Sequence, residues 1–160
     1  MTEEADFVQH YFSNRVGWLE LVTSHIGVKS LSYVPEPTDP KTCTGSAVMD
    51  QLVSELDRYF NGESIRFSVP LDLGEGTLFQ RGVWEELCRI PYGETKSYRD
   101  VAVAIGNGKA VKAVGSANGR NPVPIVVPCH RVIRSDGSLG GYSSGIEMKK
   151  SLLELEGGKK

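Results

Sequence analysis

A thiol and an imidazole stand side by side in the segment IVVPCHRVI, residues 125–133. Cys129 follows Pro128, which lacks a backbone N–H and so ends strand pairing and turns the chain. His130 can lower the pKa of the thiol, and the thiolate is the nucleophilic form of cysteine. These residues leave three chemistries open: a cysteine hydrolase, a thiol-redox protein or an alkyl acceptor. Redox exchange is disfavoured because no second cysteine lies nearby in the sequence.

The approach to the thiol is apolar. The run VPIVVP, residues 123–128, predicts a buried strand that ends at Cys129. Adjacent side chains of an extended chain point to opposite faces, so we expect Cys129 and His130 to interact through a bend or a bridging water. The Gly-rich segment GGYSSG, residues 140–145, is placed to line a pocket beside the thiol.

Composition limits the class of protein. With 160 residues, 39% of them hydrophobic and 24% charged, the chain is typical of a soluble globular protein of one or two domains. No apolar run reaches the roughly 20 residues that span a bilayer, and the acidic N-terminus does not resemble a signal peptide. We therefore expect an intracellular protein without a membrane partner. The three cysteines are widely spaced, which predicts neither a disulfide framework nor a metal site.

Charge is distributed unevenly along the chain. The net charge is −2, which argues against a generic nucleic-acid binder. Residues 1–80 hold five Lys and Arg against twelve Asp and Glu, a net charge of −7, whereas residues 81–160 hold thirteen against eight, a net charge of +5. This asymmetry is expected when only one half meets a polyanion. Chance segregation of solvated charges explains it equally well.

The first half of the chain predicts a scaffold. Residues 18–23 and 28–34 alternate apolar and polar side chains, as half-buried strands do. Residues 47–60 place Val48, Leu52, Leu56 and Tyr59 on one helical face, and residues 65–71 predict one more strand. The result is a small sheet with a covering helix, which carries no chemical constellation.

The second half predicts short helices. Thr77 and Gln80 form a capping-box pattern that opens a helix ending before Pro91. Its predicted apolar stripe comprises Phe79, Val83, Leu87 and Ile90. Residues 97–105 and 109–118 predict two helices separated by a Gly-containing break, and a last helix is predicted over 146–155. The middle pair is typical of a helix-turn-helix, although many helical hairpins never contact DNA.

The helix predicted over 109–118 is slim and basic. Its small residues and lysines are Ala110, Ala113, Gly115, Ser116, Ala117, Lys109 and Lys112. Such a helix can bring its backbone close to DNA. Tight packing against a neighbouring helix is an alternative of comparable weight.

Two longer runs resemble one family. The run PVPIVVPCHRVIRSDGSLGGYSSGIEMKKSLLELEG looks like the signature of the O6-alkylguanine-DNA alkyltransferases, also called methylated-DNA–protein-cysteine methyltransferases. IPYGETKSYRDVAVAIGNGKAVKAVGSANGRNP resembles their helix-turn-helix part, so the match is specific over about residues 77–157. The resemblance implies a mixed α+β fold. Residues 1–74 would form an antiparallel sheet domain with a covering helix, and residues 75–160 a mainly helical, winged-helix-like domain that binds DNA and accepts the alkyl group.

The resemblance also implies an activity. An alkyl group would pass irreversibly from O6-alkylguanine in double-stranded DNA, with O4-alkylthymine as an alternative lesion, to Cys129. Each chain would act once, without a cofactor, as a monomer on a base extruded from the duplex. The protein would then work in the cytoplasm of a prokaryote or the nucleus of a eukaryote.

Roles for individual residues follow from the resemblance alone. His130 would take the thiol proton through a water, Glu156 would orient that imidazole, and Asn121 would brace the active-site loop. Tyr98 would donate a hydrogen bond to the extruded guanine. The expected base pocket also includes Tyr142, Ser143, the backbone at Val132 and a supporting Lys149. The expected DNA-binding residues are Ala110, Lys112, Ala113, Gly115, Ser116 and Arg120.

One departure from the family pattern concerns the recognition helix. Lys112 stands where the family commonly places an arginine that fills the gap left by the extruded base. Lysine lacks the planar stacking fork, so we expect weaker support of the extrahelical base. Two rival functions remain: a lesion sensor that binds DNA without alkyl transfer, and a cysteine hydrolase that uses Cys129, His130 and Glu156. Only the acceptor predicts a permanent mass gain on Cys129.

Overall fold

The computed structural model describes residues 5–74 and 76–157, and contacts within the chain divide it into two compact units, residues 1–74 and 75–160. Among the described residues, no helix combines the length and hydropathy that crossing a bilayer requires.

The first unit is a three-stranded antiparallel sheet in the order β1-β2-β3. Its strands are β1 Phe7–Ser13, β2 Gly17–Thr23 and β3 Val28–Val34. One sheet face carries the buried Leu19, Leu21 and Leu31, against which helix α1 (Ala47–Phe60) packs. The predicted small sheet with a covering helix is therefore confirmed.

Helix α1 spans Ala47–Phe60, with Ser46 accepting the backbone N–H of Met49 as the N-cap. Met49, Leu52, Leu56 and Tyr59 are fully buried. The predicted face was wrong at Val48, which is only half-buried. Met49 takes its place because spacings of three, four and three residues keep one stripe directed at the sheet.

The strand predicted over residues 65–71 is absent apart from a single bridge between Leu71 and Val28. The buried carboxylate of Glu55 accepts the backbone N–H groups of Ser68 (3.0 Å) and Val69 (3.1 Å). Those amides are thereby satisfied without a strand partner, and Pro70 has no N–H to donate.

The second unit packs four helices around a short parallel strand pair. The helices are α2 Leu78–Leu87, α3 Tyr98–Ala104, α4 Val111–Gly119 and α5 Ile146–Leu155. The strands are β4 Lys96–Ser97 and β5 Val132–Ile133. Helices α2, α3 and α4 contact one another. The predicted mixed α+β fold is confirmed.

Helix α2 begins at the predicted capping box, in which Thr77 and Gln80 bond reciprocally. Its buried face was predicted incorrectly at one end, because Phe79 is 36% exposed. Trp84 is buried instead, and its indole N–H donates to the carbonyl of Ala117 at 2.9 Å. That bond ties α2 to α4, the helix predicted to meet DNA.

Helix α3, predicted over residues 97–105, also starts at a capping box, formed by Ser97 and Asp100, and ends at Ala104. Helix α5 has its predicted bounds. Helix α4 begins at Val111, two residues later than predicted.

The predicted strand over residues 123–128 is wrong. The segment is a buried turn closed by a hydrogen bond from Val127 N–H to the Val123 carbonyl at 2.9 Å. Ile125 sits there at φ 77°, a left-handed conformation that costs a β-branched residue about 1–3 kcal/mol. Cys129 then opens a 3₁₀ turn, Cys129–Arg131, that leads into β5.

Candidate active site

One side chain, that of Asn121, fixes the buried turn that precedes the thiol. Asn121 donates its Nδ2–H to the Val127 carbonyl at 2.7 Å and accepts the Val123 N–H on Oδ1 at 2.9 Å. The Asn121 side chain also lowers the pKa of the Cys129 thiol. One amide thus fixes the strained turn that leads to the thiol, which supports the expected bracing role of Asn121.

The thiol itself is buried, with Cys129 only 3% exposed. Burial raises its pKa to about 11, although the Asn121 hydrogen bond and the positive charge of Lys149 act in the opposite direction. The resting side chain is therefore a neutral thiol near pH 7. A base must take its proton before or during nucleophilic attack.

A buried imidazole follows directly. His130 is fully buried, and its Nε2 lies 2.7 Å from Oε2 of Glu156, beside the C-terminal end of α5. Burial acts to raise the pKa of Glu156, but hydrogen bonds from His130 and Arg131 outweigh it and hold that pKa at about 2. The ionised carboxylate only accepts, so Nε2 carries the hydrogen and Nδ1 is left with its lone pair.

The remaining ring nitrogen is basic and unoccupied. Nδ1 of His130 is buried and has no hydrogen-bond partner among the described protein groups. Burial lowers the pKa of His130 by more than the hydrogen bond and charge of Glu156 raise it, so the ring is neutral at rest. A neutral imidazole with a free lone pair is chemically suited to act as a general base.

Sequence analysis missed Arg131. Its guanidinium donates to Oε1 of Glu156 from Nε at 2.8 Å and to Oε2 from Nη2 at 2.9 Å. Nη1 donates to the Ile90 carbonyl at 2.7 Å, and Arg131 is only 6% exposed. A charged residue between two apolar runs was the available signal, because burial of a guanidinium requires a buried counter-ion.

Lys149 is fully buried, unlike its neighbour Lys150 on α5. Its Nζ donates to the carbonyls of Val132 (2.6 Å), Leu139 (2.5 Å) and Gly141 (3.1 Å). Burial lowers the pKa of Lys149 to about 8, so it remains mostly charged near neutrality. These bonds use all three ammonium donors and hold the segment before Tyr142 in place.

A cavity of about 670 Å³ lies between α4 and the segment 140–143. Of the predicted pocket residues, Tyr98, Tyr142 and Ser143 line it, whereas Val132 and Lys149 do not, and the catalytic candidate Cys129 does not line it either. The further lining residues are Val111, Lys112, Gly115, Asn118, Gly119, Arg134, Gly140 and Gly141. The volume is in the range of small-molecule sites.

Tyr98 connects the cavity to the buried centre. It is half-buried, and burial raises its pKa while the charge of Arg134 lowers it. The ammonium of Lys149 lies 5.8 Å from its ring centroid. A Cβ on Gly140 would approach the Tyr98 hydroxyl to 3.0 Å, and Gly140 has φ 74°, so glycine is required where the segment crosses this ring.

Helix α4 was predicted either to approach DNA closely or to pack tightly against a neighbouring helix, and different positions of the helix fit each interpretation. Ala117 is buried against the other helices, as tight packing requires. Lys112, Ala113 and Ser116 are exposed, and Gly115 lies beside the cavity. Ala110 is half-buried at the N-cap position, and Arg120 is exposed just after the helix. The exposed face is small and basic, as expected for contact with a nucleic acid.

Comparison with known proteins points to one family. Residues 78–158 match the family model "6-O-methylguanine DNA methyltransferase, DNA binding domain". The protein of Mycobacterium tuberculosis named methylated-DNA–protein-cysteine methyltransferase is 47% identical over 139 residues, 84% of this chain and 80% of that protein. Its namesake in Methanosarcina barkeri is 54% identical over 102 residues, but these cover only 64% of each protein, less than two thirds.

Solved structures agree over nearly the whole chain. The Mycobacterium tuberculosis OGT crystallised in complex with DNA superposes with a TM-score of 0.82 at 42% identity, covering 94% of this chain and 92% of that one. The O6-methylguanine-DNA methyltransferase of Pyrococcus kodakaraensis superposes with a TM-score of 0.66 at 31% identity, covering 94% and 98%.

Proposed function

The chain belongs to the methylated-DNA–protein-cysteine methyltransferase family, and on that premise we propose that it repairs alkylated DNA by moving the alkyl group to its own Cys129. The substrate is O6-alkylguanine in duplex DNA, and O4-alkylthymine is a second candidate lesion. The observation that carries the proposal is a buried thiol at Cys129, followed directly in the chain by the buried His130, whose Nδ1 has no hydrogen-bond partner among the described protein groups.

The reaction is a displacement at a saturated carbon. Sulfur of Cys129 forms a bond to the alkyl carbon as the bond from that carbon to O6 breaks, and the electron pair stays on the guanine. The thiol proton leaves through His130 and ends on the guanine, so charge and atoms balance. A thioether is a very poor leaving group, and each chain therefore acts once.

His130 serves as the base. The neutral ring carries its hydrogen on Nε2, facing Glu156, which leaves Nδ1 to receive the thiol proton through a bridging water. Glu156 stabilises the imidazolium that forms, and Arg131 keeps Glu156 ionised. Asn121 and Lys149 stabilise the developing thiolate.

The cavity beside α4 receives the extruded base. Tyr98 donates its hydroxyl to the guanine as negative charge develops on the leaving group. Tyr142 and Ser143 form part of its wall, and Lys149 holds that wall in place through the carbonyls of Val132 and Gly141. No metal or cofactor takes part.

DNA binding belongs to the second unit. Residues 75–160 present α4 to the minor groove through Ala110, Lys112, Ala113, Gly115 and Ser116, with Arg120 at a phosphate. Residues 1–74 act as a scaffold. A monomer suffices, since every candidate residue is in one chain, and the site of action is where chromosomal DNA lies: the cytoplasm of a prokaryote or the nucleus of a eukaryote.

The proposal is tested by stoichiometry. Protein is incubated with a tenfold excess of duplex that carries one radiolabelled O6-methylguanine. We expect label on protein to stop at one methyl group per chain, and the remaining lesions to persist. Continued loss of lesions beyond one per chain, or none at all, contradicts the proposal.

A further inference from the structure

We propose that Arg134 binds a backbone phosphate of the extruded nucleotide and, with Lys112, forms a pair of cations that spans the mouth of the cavity. The inference rests on the proposed function, since it concerns how the same cavity holds its substrate. It assigns a role to a residue that neither the family resemblance nor the catalytic network uses.

Arg134 and Lys112 reach the cavity from different elements. Lys112 lies on α4, whereas Arg134 lies directly after β5, on the chain segment that leads to Gly140. Both side chains are exposed, and no acidic residue is among those that line the cavity. The two walls therefore each offer one positive charge to whatever enters between them.

The backbone at Arg134 is fixed although its side chain is exposed. Its N–H donates to the Ser138 carbonyl and its carbonyl accepts the Gly137 N–H, both at 2.9 Å. Among the described residues, no hydrogen bond or ion pair engages the guanidinium itself. The charge of Arg134 helps to lower the pKa of Asp136, but that carboxylate accepts the Ser138 N–H at 2.9 Å and the Ser138 hydroxyl at 2.7 Å. The guanidinium is thus held near the cavity with its donors available.

Phosphate is the group that fits this position. A base that enters the cavity leaves its sugar and flanking phosphates at the mouth, and Arg134 and Lys112 are exposed residues that line the same cavity. A guanidinium fork binds two phosphate oxygens at once, and a lysine on the opposite wall adds a second charge. Arg134 and Tyr98 both line the cavity, and the charge of Arg134 lowers the pKa of the Tyr98 hydroxyl.

The test measures DNA binding in a Cys129→Ser background, so that affinity is obtained whether or not alkyl transfer occurs. Arg134→Gln is compared with Lys150→Gln, which removes one exposed positive charge of the same unit away from the cavity. The probes are a duplex with one O6-methylguanine and the same duplex with neutral methylphosphonates at the two phosphates flanking the lesion.

We expect Arg134→Gln to weaken binding of the charged duplex about tenfold, as loss of one phosphate contact does, and Lys150→Gln to change it less than about twofold. On the methylphosphonate duplex the two variants should bind alike. Equal affinity of Arg134→Gln and the parent on the charged duplex overturns the inference. An undiminished defect on the neutral duplex also overturns it.

A second readout separates phosphate binding from an effect through Tyr98. With Cys129 restored, alkyl transfer from free O6-methylguanine base, which has no phosphate, should be unaffected by Arg134→Gln. An equal slowing with free base and duplex overturns the inference. Failure of the unsubstituted protein to accept any methyl group is a separate result, which contradicts the proposed function. The binding comparison of Arg134→Gln with its parent still decides the inference in that case, because it does not require alkyl transfer.

Discussion

Each of the two units contains a histidine paired with a glutamate. The two pairs differ in whether Nδ1 of the histidine accepts a hydrogen bond from the protein. In the first unit, Nε2 of His10 lies 3.5 Å from Glu20, whose side chain is 42% exposed. Its Nδ1 accepts the backbone N–H of Lys41 at 2.8 Å, so that lone pair holds a loop. In the second unit, the pair of His130 and Glu156 is buried and the corresponding Nδ1 is unoccupied by protein groups. The same residue types therefore serve structure in one unit and, in the proposed reaction, supply a base in the other.

The buried carboxylates repeat this contrast. Glu55 accepts hydrogen bonds from neutral donors only: the side chains of Gln51 and Ser68 and the backbone of Ser68 and Val69. Glu156 accepts from an imidazole and a guanidinium. A carboxylate with neutral partners orders a loop, whereas one with ionisable partners sets their protonation states.

The largest expected effect separates the two histidines. His130→Gln retains a donor for Glu156 but removes the base, so methyl transfer at pH 7 should fall by about 10²–10⁴-fold. His10→Gln should leave the rate within about twofold, since the site lies in the other unit. Single-turnover transfer from O6-methylguanine duplex measures both.

The pH dependence of the transfer rate tests the role of His130 further. With His130 as the base, the rate should not rise between pH 7 and 9, and loss of the charge on Lys149, whose pKa is about 8, should lower it. Without His130, the rate should follow the thiolate, whose pKa is about 11, and rise about tenfold per pH unit. A flat profile in His130→Gln would show that this imidazole is not the base.

Replacement of the two buried carboxylates should lower the stability of the protein by different amounts. Glu156→Gln leaves the guanidinium of Arg131 buried without its counter-ion, and we expect the free energy of unfolding to fall by about 3–5 kcal/mol. Glu55→Gln disturbs neutral hydrogen bonds and should lower it by about 1–3 kcal/mol. Urea titrations of both variants measure this, with transfer rate as the second readout: only Glu156→Gln should slow it. Equal effects on both readouts would remove the distinction.

Acid should reveal the ionised state of Glu156. Its folded pKa of about 2 is below the ordinary value near 4.3, so the unfolded chain takes up the proton first. The stabilisation is complete above about pH 5 and is lost as pH falls towards 2, with about 2 kcal/mol gone by pH 3. Urea titrations of wild type and Glu156→Gln at pH 6 and pH 3 should show a smaller acid loss in the variant. An identical loss would contradict the depressed pKa.

The smallest expected effect concerns α4. Lys112→Arg restores a planar group that can fill the stack, and repair of duplex should become faster by about two- to fivefold. Lys109→Arg, at an exposed position outside the cavity lining, is the matched control. An unchanged or slower duplex rate for Lys112→Arg would show that lysine is adequate there.

Local signals were sufficient for much of the fold. The starts of α2 and α3 follow from the side chains of Thr77 and Ser97, which cap the backbone beside them. The turn before Cys129 was not predictable, because an apolar run such as VPIVVP is typical of a strand. The turn around its left-handed residue, Ile125, is held by the bond that Asn121 donates to the Val127 carbonyl and the bond that it accepts from the Val123 N–H, which no periodicity reveals.

Buried charges were the least predictable part of the site. Lys149 and Glu156 are consistent with an exposed helix when judged by residue type, and only the family resemblance singled them out. Arg131 escaped notice since its partners, Glu156 and the Ile90 carbonyl, lie 25 and 41 residues away along the chain. Such contacts are properties of packing, and they leave only His130, of the two histidines compared above, with the free Nδ1 that the proposed reaction needs.

The central claim is that Cys129 itself becomes alkylated. Intact mass and peptide mapping after incubation with duplex carrying one O6-methylguanine test it most directly, with Cys129→Ser in parallel. The account predicts one gain of about 14 Da on the Cys129 peptide, the mass of one methylene, and none in Cys129→Ser, since a thiolate attacks saturated carbon and a buried hydroxyl does not. Lesion-dependent DNA binding without any mass gain, or a methyl group on another residue, would contradict it.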